Sequence, residues 1–130
     1  MGRAAALGAE AFAEPVGRGE LQVPAIRGVG GGLVYLVDDR PGLARLWDVE
    51  FEALTDTTPT AGLTAIDHVA QTMPYEEMPT WLLFYTSIFA ARKSGMLDIA
   101  DPAGIVHSQV VENVGRTWRI TMNGAESRST

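Results

Sequence analysis

The sequence has no cysteine, no long apolar run and no concentration of basic residues. The lack of cysteine excludes disulfides, thiolate metal sites and a cysteine nucleophile. No apolar stretch approaches the roughly 20 residues that a membrane-spanning helix needs. The 10 Lys and Arg residues are scattered against 16 Asp and Glu residues, whereas nucleic-acid binding usually requires a basic cluster. We therefore expect a cytoplasmic protein that binds neither nucleic acid nor a membrane.

The chain has 130 residues, which is enough for one average domain. A Thr- and Pro-rich stretch without periodicity, residues 55–62, is predicted to be a linker. The preceding residues, 1–54, are predicted to form the closing segment of an N-terminal module. Their composition and patterning predict a helix over 3–14, a loop over 21–32, and strands over 33–37 and 47–52.

Residues 63–130 show a more regular pattern. The predicted elements are, in order, a strand over 66–73, a helix over 74–89, and strands over 96–99, 105–111 and 118–122. This order makes an α+β unit of βαβββ topology. Its single helix covers only one face of the sheet, so the other face lines a cavity or pairs with a second unit. Pairing of that face with another copy, giving a homo-oligomer, stays open.

His68 is the first candidate functional residue, because strand alternation places it with Ala70 and Thr72 on one face. If Val69 and Met73 pack under the helix, His68 points to the uncovered side. A neutral imidazole in that position suits Fe(II), Zn(II) or Mn(II). The alternative is a histidine that is hydrogen-bonded within a half-buried sheet, and spacing alone favours it.

The later strands offer further polar candidates. His107 and Ser108 must face opposite sides of the sheet, so His107 pairs with His68 at a metal only if it faces inward. In the other arrangement Ser108 faces inward and can donate a hydrogen bond to a substrate. Asn123 is predicted to share the face of His68, although Asn123 followed by Gly124 is also a common turn pair.

Several segments resemble 4-hydroxyphenylpyruvate dioxygenase. Residues 19–21, 23–31, 33–38 and 47–51 resemble the end of that enzyme's N-terminal half, and residues 66–69 resemble the start of its catalytic half. The resemblance implies the vicinal-oxygen-chelate (glyoxalase/bleomycin-resistance/dioxygenase) fold, built from paired βαβββ modules. Residues 63–130 are then the first module of the dioxygenase-like C-terminal half, preceded by the tail of another module.

A closer resemblance connects residues 81–87 and 101–108 with the dioxygenase-like C-terminal region of bacterial 3-dehydroshikimate dehydratases. It implies that His68 is the first ligand of a divalent metal, Fe(II) or else Mn, Mg or Co. It also implies that Ser108 and Asn123 line the pocket for a small aromatic or cyclic 2-oxo or hydroxy acid.

In the family the second His and the Glu of the metal triad would lie after Thr130. The sequence is therefore predicted to be a fragment of a dioxygenase-like protein of aromatic or shikimate catabolism, inactive by itself. The alternative is a non-catalytic appended domain or remnant of a dehydratase that serves assembly or ligand binding. The resemblance leaves open whether the whole protein is an oxidoreductase or a lyase.

Overall fold

The computed structural model describes residues 1–54 and 61–127. The chain divides into two compact units, Met1–Thr64 and Ala65–Thr130. Most of the predicted linker, 55–62, lies outside the described residues. In the part of the chain that the structure describes, no helix is both long enough and apolar enough to cross a bilayer.

The first unit contains a small antiparallel sheet and two short helices. The elements are α1 (Gly2–Ala6), β1 (Ala11–Phe12), β2 (Ala25–Arg27), a 3-10 turn (Val29–Gly31), β3 (Leu33–Tyr35) and α2 (Leu46–Glu50). The strand order is β1-β2-β3. The central strand β2 is buried because Ala25 and Ile26 lie in the core of this unit. Hydrophobic burial of this small core is the main force that holds the unit together.

Three predictions for this unit were wrong in part. The helix expected over 3–14 ends at Ala6, because Gly8 adopts a positive φ of 78° and closes a Schellman turn. The loop expected over 21–32 contains β2. Most of the strand expected over 47–52 is the helix α2, and Trp47 contacts Phe51, the extended residue that follows the helix.

The second unit has the predicted βαβββ topology. Its elements are β4 (Val69–Pro74), a 3-10 turn (Tyr75–Glu77), α3 (Met78–Ile88), β5 (Arg92–Asp101), β6 (Gly104–Glu112) and β7 (Arg119–Ser127). The sheet order is β4-β7-β6-β5, with β4 parallel to β7 and the other pairs antiparallel. The observed strands β5, β6 and β7 are longer than predicted, because each continues through polar residues that the apolar pattern did not mark.

Helix α3 lies on one face of this sheet. The core between them consists of apolar residues of the helix and of three strands: Met73, Met78, Tyr85, Val111 and Met122. The Tyr85 hydroxyl also donates a hydrogen bond to Gln71 Oε1 at 2.8 Å. Burial raises the pKa of Tyr85 despite that bond. The hydroxyl therefore stays protonated and keeps donating to β4.

A candidate ligand-binding face on the second unit

The sheet of the second unit presents two different faces, because successive residues of a strand point to opposite sides. The side chains of Gln71, Val111 and Met122 point toward α3. Residues at the alternate positions form what we call the open face, on which no helix of the described part of this unit lies. Its central row, read across the four strands, consists of Thr72, Asn123, Ser108 and Leu97.

Two of the predicted site residues meet on the open face. Ser108 and Asn123 are direct cross-strand partners, and the Ser108 hydroxyl donates to Asn123 Oδ1 at 2.9 Å. The bond is partly buried, so the side chains are oriented by each other as well as by the strands. The Asn123 amide N–H groups and the oxygen of Ser108 remain available to a ligand. The pair can therefore both donate to and accept from a polar group.

Two alternatives from the sequence are settled by the register. Asn123 and Gly124 are not a turn pair, because β7 continues through them to Ser127. His107 is paired with Gly124, on the side of the sheet that faces α3. The condition for a metal pair of His68 and His107, that His107 faces away from the helix, is therefore not met. The arrangement with Ser108 on the open face is the one observed.

His68 lies one residue before β4, and its side chain is 48% exposed. Its Nδ1 atom lies 2.7 Å from Asp67 Oδ2. The other ring nitrogen, Nε2, points away from Asp67. A histidine that ligates a metal usually directs its other nitrogen to a carboxylate or a carbonyl. The local geometry of Asp67 and His68 thus has the form of a ligand and its orienting partner.

Arg119 connects this pair to the sheet. Its Nη1 atom lies 3.3 Å from Asp67 Oδ2, and its Nε lies 3.3 Å from Glu112 Oε2. The hydrogen bond from His68, with the nearby charge of Arg119, lowers the pKa of Asp67 below the usual value for a carboxyl. Asp67 is therefore a stable anion at neutral pH that can hold the imidazole in one orientation.

Within residues 1–54 and 61–127, the surroundings of His68 do not supply a complete metal site. Among the described residues, no three His, Cys, Asp or Glu side chains come together in a cluster that could hold a metal ion. A mononuclear iron site needs about three protein ligands. His68, oriented by Asp67, fits one ligand position of the family's metal, and the described residues do not supply a complete set.

The distance between His68 and the Ser108–Asn123 pair follows from the register. Thr72 is the β4 partner of Asn123, and His68 precedes Thr72 by four residues. Four residues of extended chain span about 13 Å. The face can therefore accommodate an elongated small molecule with one end near His68 and the other near the polar pair.

The first unit contains a separate cavity of about 400 Å³. Its walls include four aromatic side chains, those of Phe12, Tyr35, Trp47 and Phe51. None of the residues predicted to be functional lines it. The cavity is therefore not part of the candidate face.

Sequence reasoning assigned no role to two residues of the candidate face, Asp67 and Arg119. Asp67 could have been found, because an acidic residue next to a candidate metal-binding histidine is a natural orienting partner. Strand alternation had already placed Thr72 on the predicted face of His68, and the register pairs it there with Asn123. Arg119 gave no signal, since its contact with Asp67 spans 52 residues of sequence.

Comparisons with known proteins agree with this fold. Residues 1–52 match a family model described as hydroxyphenylpyruvate dioxygenase, N-terminal. The chain is 36% identical over 128 residues to a 3-dehydroshikimate dehydratase of Pseudomonas putida, covering 98% of this chain and 20% of that protein. It is 32% identical over 129 residues to a 4-hydroxyphenylpyruvate dioxygenase of a Pseudomonas species, covering 97% of this chain and 36% of that protein.

A solved structure described as a fusion of a xylose isomerase-like TIM barrel with 4-hydroxyphenylpyruvate dioxygenase has a TM-score of 0.69 and 35% identity. That match covers 97% of this chain and 19% of the fusion protein. The chain thus spans about a fifth to a third of the length of these relatives. The α+β vicinal-oxygen-chelate fold and the resemblance to the 4-hydroxyphenylpyruvate dioxygenase-like group are confirmed.

Proposed function

We propose that the open face is one wall of a ligand site. The chain is similar along nearly its whole length to 4-hydroxyphenylpyruvate dioxygenase-like proteins. In this proposal the chain is a fragment of a metal-dependent protein of aromatic or shikimate catabolism. His68 is the first ligand of a divalent metal, Fe(II) by resemblance, and Ser108 and Asn123 contact the ligand. Taken alone, the fragment binds a metal weakly and turns over no substrate.

The observations that support this proposal are an exposed, oriented imidazole next to β4 and a polar pair on the open face. An exposed imidazole oriented by Asp67 supports metal binding at one end. The hydrogen-bonded Ser108–Asn123 pair supports recognition of a polar group at the other end. A ligand that chelates through a 2-oxo or hydroxy acid and carries a polar group on an aromatic or cyclic body has the matching chemistry. The bound metal would supply Lewis acidity for that chelation.

Mn(II) binding tests the metal assignment. The fraction of free Mn(II) is measured by electron paramagnetic resonance for the wild-type chain, His68→Ala and His107→Gln. We expect His68→Ala to lose the binding that the wild type shows. His107→Gln is the matched control, because His107 is the second of the chain's two histidines and faces the other side. Equal binding by all three proteins would remove His68 from the site.

A second candidate is a non-catalytic appended domain of a 3-dehydroshikimate dehydratase, serving assembly or ligand binding. The similarity to the dehydratase and to the barrel fusion protein favours it. Here the open face contacts a second copy of the chain. Leu97 and Ile99 would lie in that contact, since they are 63% and 47% exposed and pair with open-face residues.

The oligomeric state tests the second candidate. We expect light scattering after size exclusion to show a dimer that Leu97→Glu converts to a monomer. Met96→Glu is the control, because Met96 is exposed to a similar extent but belongs to the alternate set of β5 residues. A wild-type chain that is monomeric at all concentrations would exclude assembly through this face.

A further inference from the structure

We infer that His107 is a positioning residue. Together with Tyr75 and Gly124, it determines the position of the Ser108–Asn123 pair from the opposite side of the sheet. The inference deepens the proposed function, since it concerns the control of the same polar pair. His107 and Ser108 are neighbours on β6, and Asn123 and Gly124 are neighbours on β7. The two cross-strand pairs therefore lie next to each other with their side chains on opposite faces.

The Tyr75 ring covers the far side of this position. Its centroid lies 4.1 Å from that of the His107 ring, at an interplanar angle of 34°. Tyr75 also packs directly on Gly124, where an added Cβ would lie 2.9 Å from Tyr75 Cδ2 and 3.3 Å from its Cα. This close approach requires glycine. It also fixes the distance between Tyr75 and the β7 backbone next to Asn123. A shift of His107 or Tyr75 therefore moves the backbone that carries Asn123.

His107 also connects the two neighbouring strands. Its Nδ1 atom lies 2.8 Å from Asp98 Oδ1 on β5, and its Nε2 lies 3.4 Å from Glu126 Oε2 on β7. The imidazole is only 13% exposed, whereas both carboxylates are more than half exposed. When both ring nitrogens carry protons, each can donate to one carboxylate. The charged ring then draws β5 and β7 toward β6 around Ser108.

The charge of His107 depends on pH near neutrality. The hydrogen bond to Asp98, reinforced by Glu126, raises the pKa of His107 above the usual value of about 6.5. The charged groups that face it are Asp98 from β5 and Glu126 from β7. Glu76 of the 3-10 turn borders the same depression as Glu126, and α3 contains no charged residue. The carboxylates of Asp98 and Glu126 both favour the imidazolium, so deprotonation loosens both contacts at once.

Side-chain NMR of the intact chain tests the inference. Asn113 and Asn123 are its two asparagines, and His68 and His107 its two histidines. His68→Gln and Asn113→Asp assign the signals by removing one of each pair. We expect the side-chain amide signals of Asn123 to shift between pH 5.5 and 8.5 with the same midpoint as the His107 ring. The Asn113 signals should stay constant, because that amide is bound within its own turn.

The variant His107→Gln completes the test. We expect the titration of the Asn123 amide to disappear while its signals remain dispersed. A wild-type Asn123 amide that does not respond to pH would overturn the inference without any variant being made. So would a titration that persists in His107→Gln. The outcome is independent of metal binding, so a failed Mn(II) experiment and a failed titration are distinguishable.

Discussion

The two faces of the four-stranded sheet in the second unit are built from alternate residues of the same strands. They differ in the side chains that they carry and in the contacts of those side chains. The face toward α3 is packed with apolar side chains, and Met122 and Val111 on it are completely buried. The open face carries the Ser108–Asn123 pair in partly buried positions. The face toward α3 supplies the apolar core, whereas the open face carries the polar pair that can contact a ligand. Substitutions on the two faces should therefore differ in their effect on stability.

Met122→Ala should cause the largest loss of stability. The side chain is fully buried between β7 and α3, and truncation of a buried methionine costs about 2–5 kcal/mol. Chemical denaturation measures the free energy of unfolding. Met96→Ala is the control, since Met96 is 55% exposed, and it should have little effect. Equal losses at the two positions would show that the helix-covered face is not the core.

Gly124→Ala should be the next most damaging substitution. The new methyl would lie 2.8 Å from Met78 Sδ and 2.9 Å from Tyr75 Cδ2, and overpacking of this kind costs about 1–3 kcal/mol. Gly95→Ala on β5 is the matched control, because nothing lies within 4 Å of its added Cβ. Comparable thermal stability of both variants would contradict the close approach of Tyr75 to β7.

The Ser108–Asn123 hydrogen bond should contribute a smaller coupling energy. A double-mutant cycle of Ser108→Ala and Asn123→Ala is expected to give about 0.5–1.5 kcal/mol, the net value of an ordinary hydrogen bond. The cycle of Ser108→Ala with Asn113→Ala serves as the control and should be additive. A coupling of zero for the first cycle would mean that the two side chains do not orient each other.

The pH dependence of stability should show the smallest effect. Because folding raises the pKa of His107, its stabilising contribution is fully present below the unfolded value of about 6.5 and is lost as pH rises through the folded value. The wild type should therefore exceed His107→Gln in unfolding free energy by more at pH 5.5 than at pH 8.5. A difference that is independent of pH would mean that the imidazolium makes no net contribution.

Much of the second unit could be predicted from sequence, since apolar periodicity marks β4, α3 and the centres of the other strands. Strand alternation also predicted that Asn123 lies on the open face, and the resemblance selected Ser108 over His107. The first unit was harder. An alternating pattern over 47–52 indicated a strand, but α2 forms over Leu46–Glu50 with Leu46 as its buried residue.

The contacts that support the candidate face could not be predicted in this way. The Asp67–Arg119 ion pair and the Tyr75–His107 stack join residues far apart in sequence, and neither has a periodic signature. Gly124 looked like part of a turn, because glycine after asparagine is common there. In the folded unit it is a strand residue whose missing side chain makes room for Tyr75.

The proposal made above is that His68 is the metal-binding histidine of this chain and that His107 is not a ligand. The most direct measurement follows the ring signals of these two histidines by NMR during addition of substoichiometric Mn(II). The account predicts that the His68 signal broadens first while the His107 signal is unchanged, and that Asp67→Asn weakens the effect on His68. Broadening of both signals together, or of His107 alone, would contradict the account.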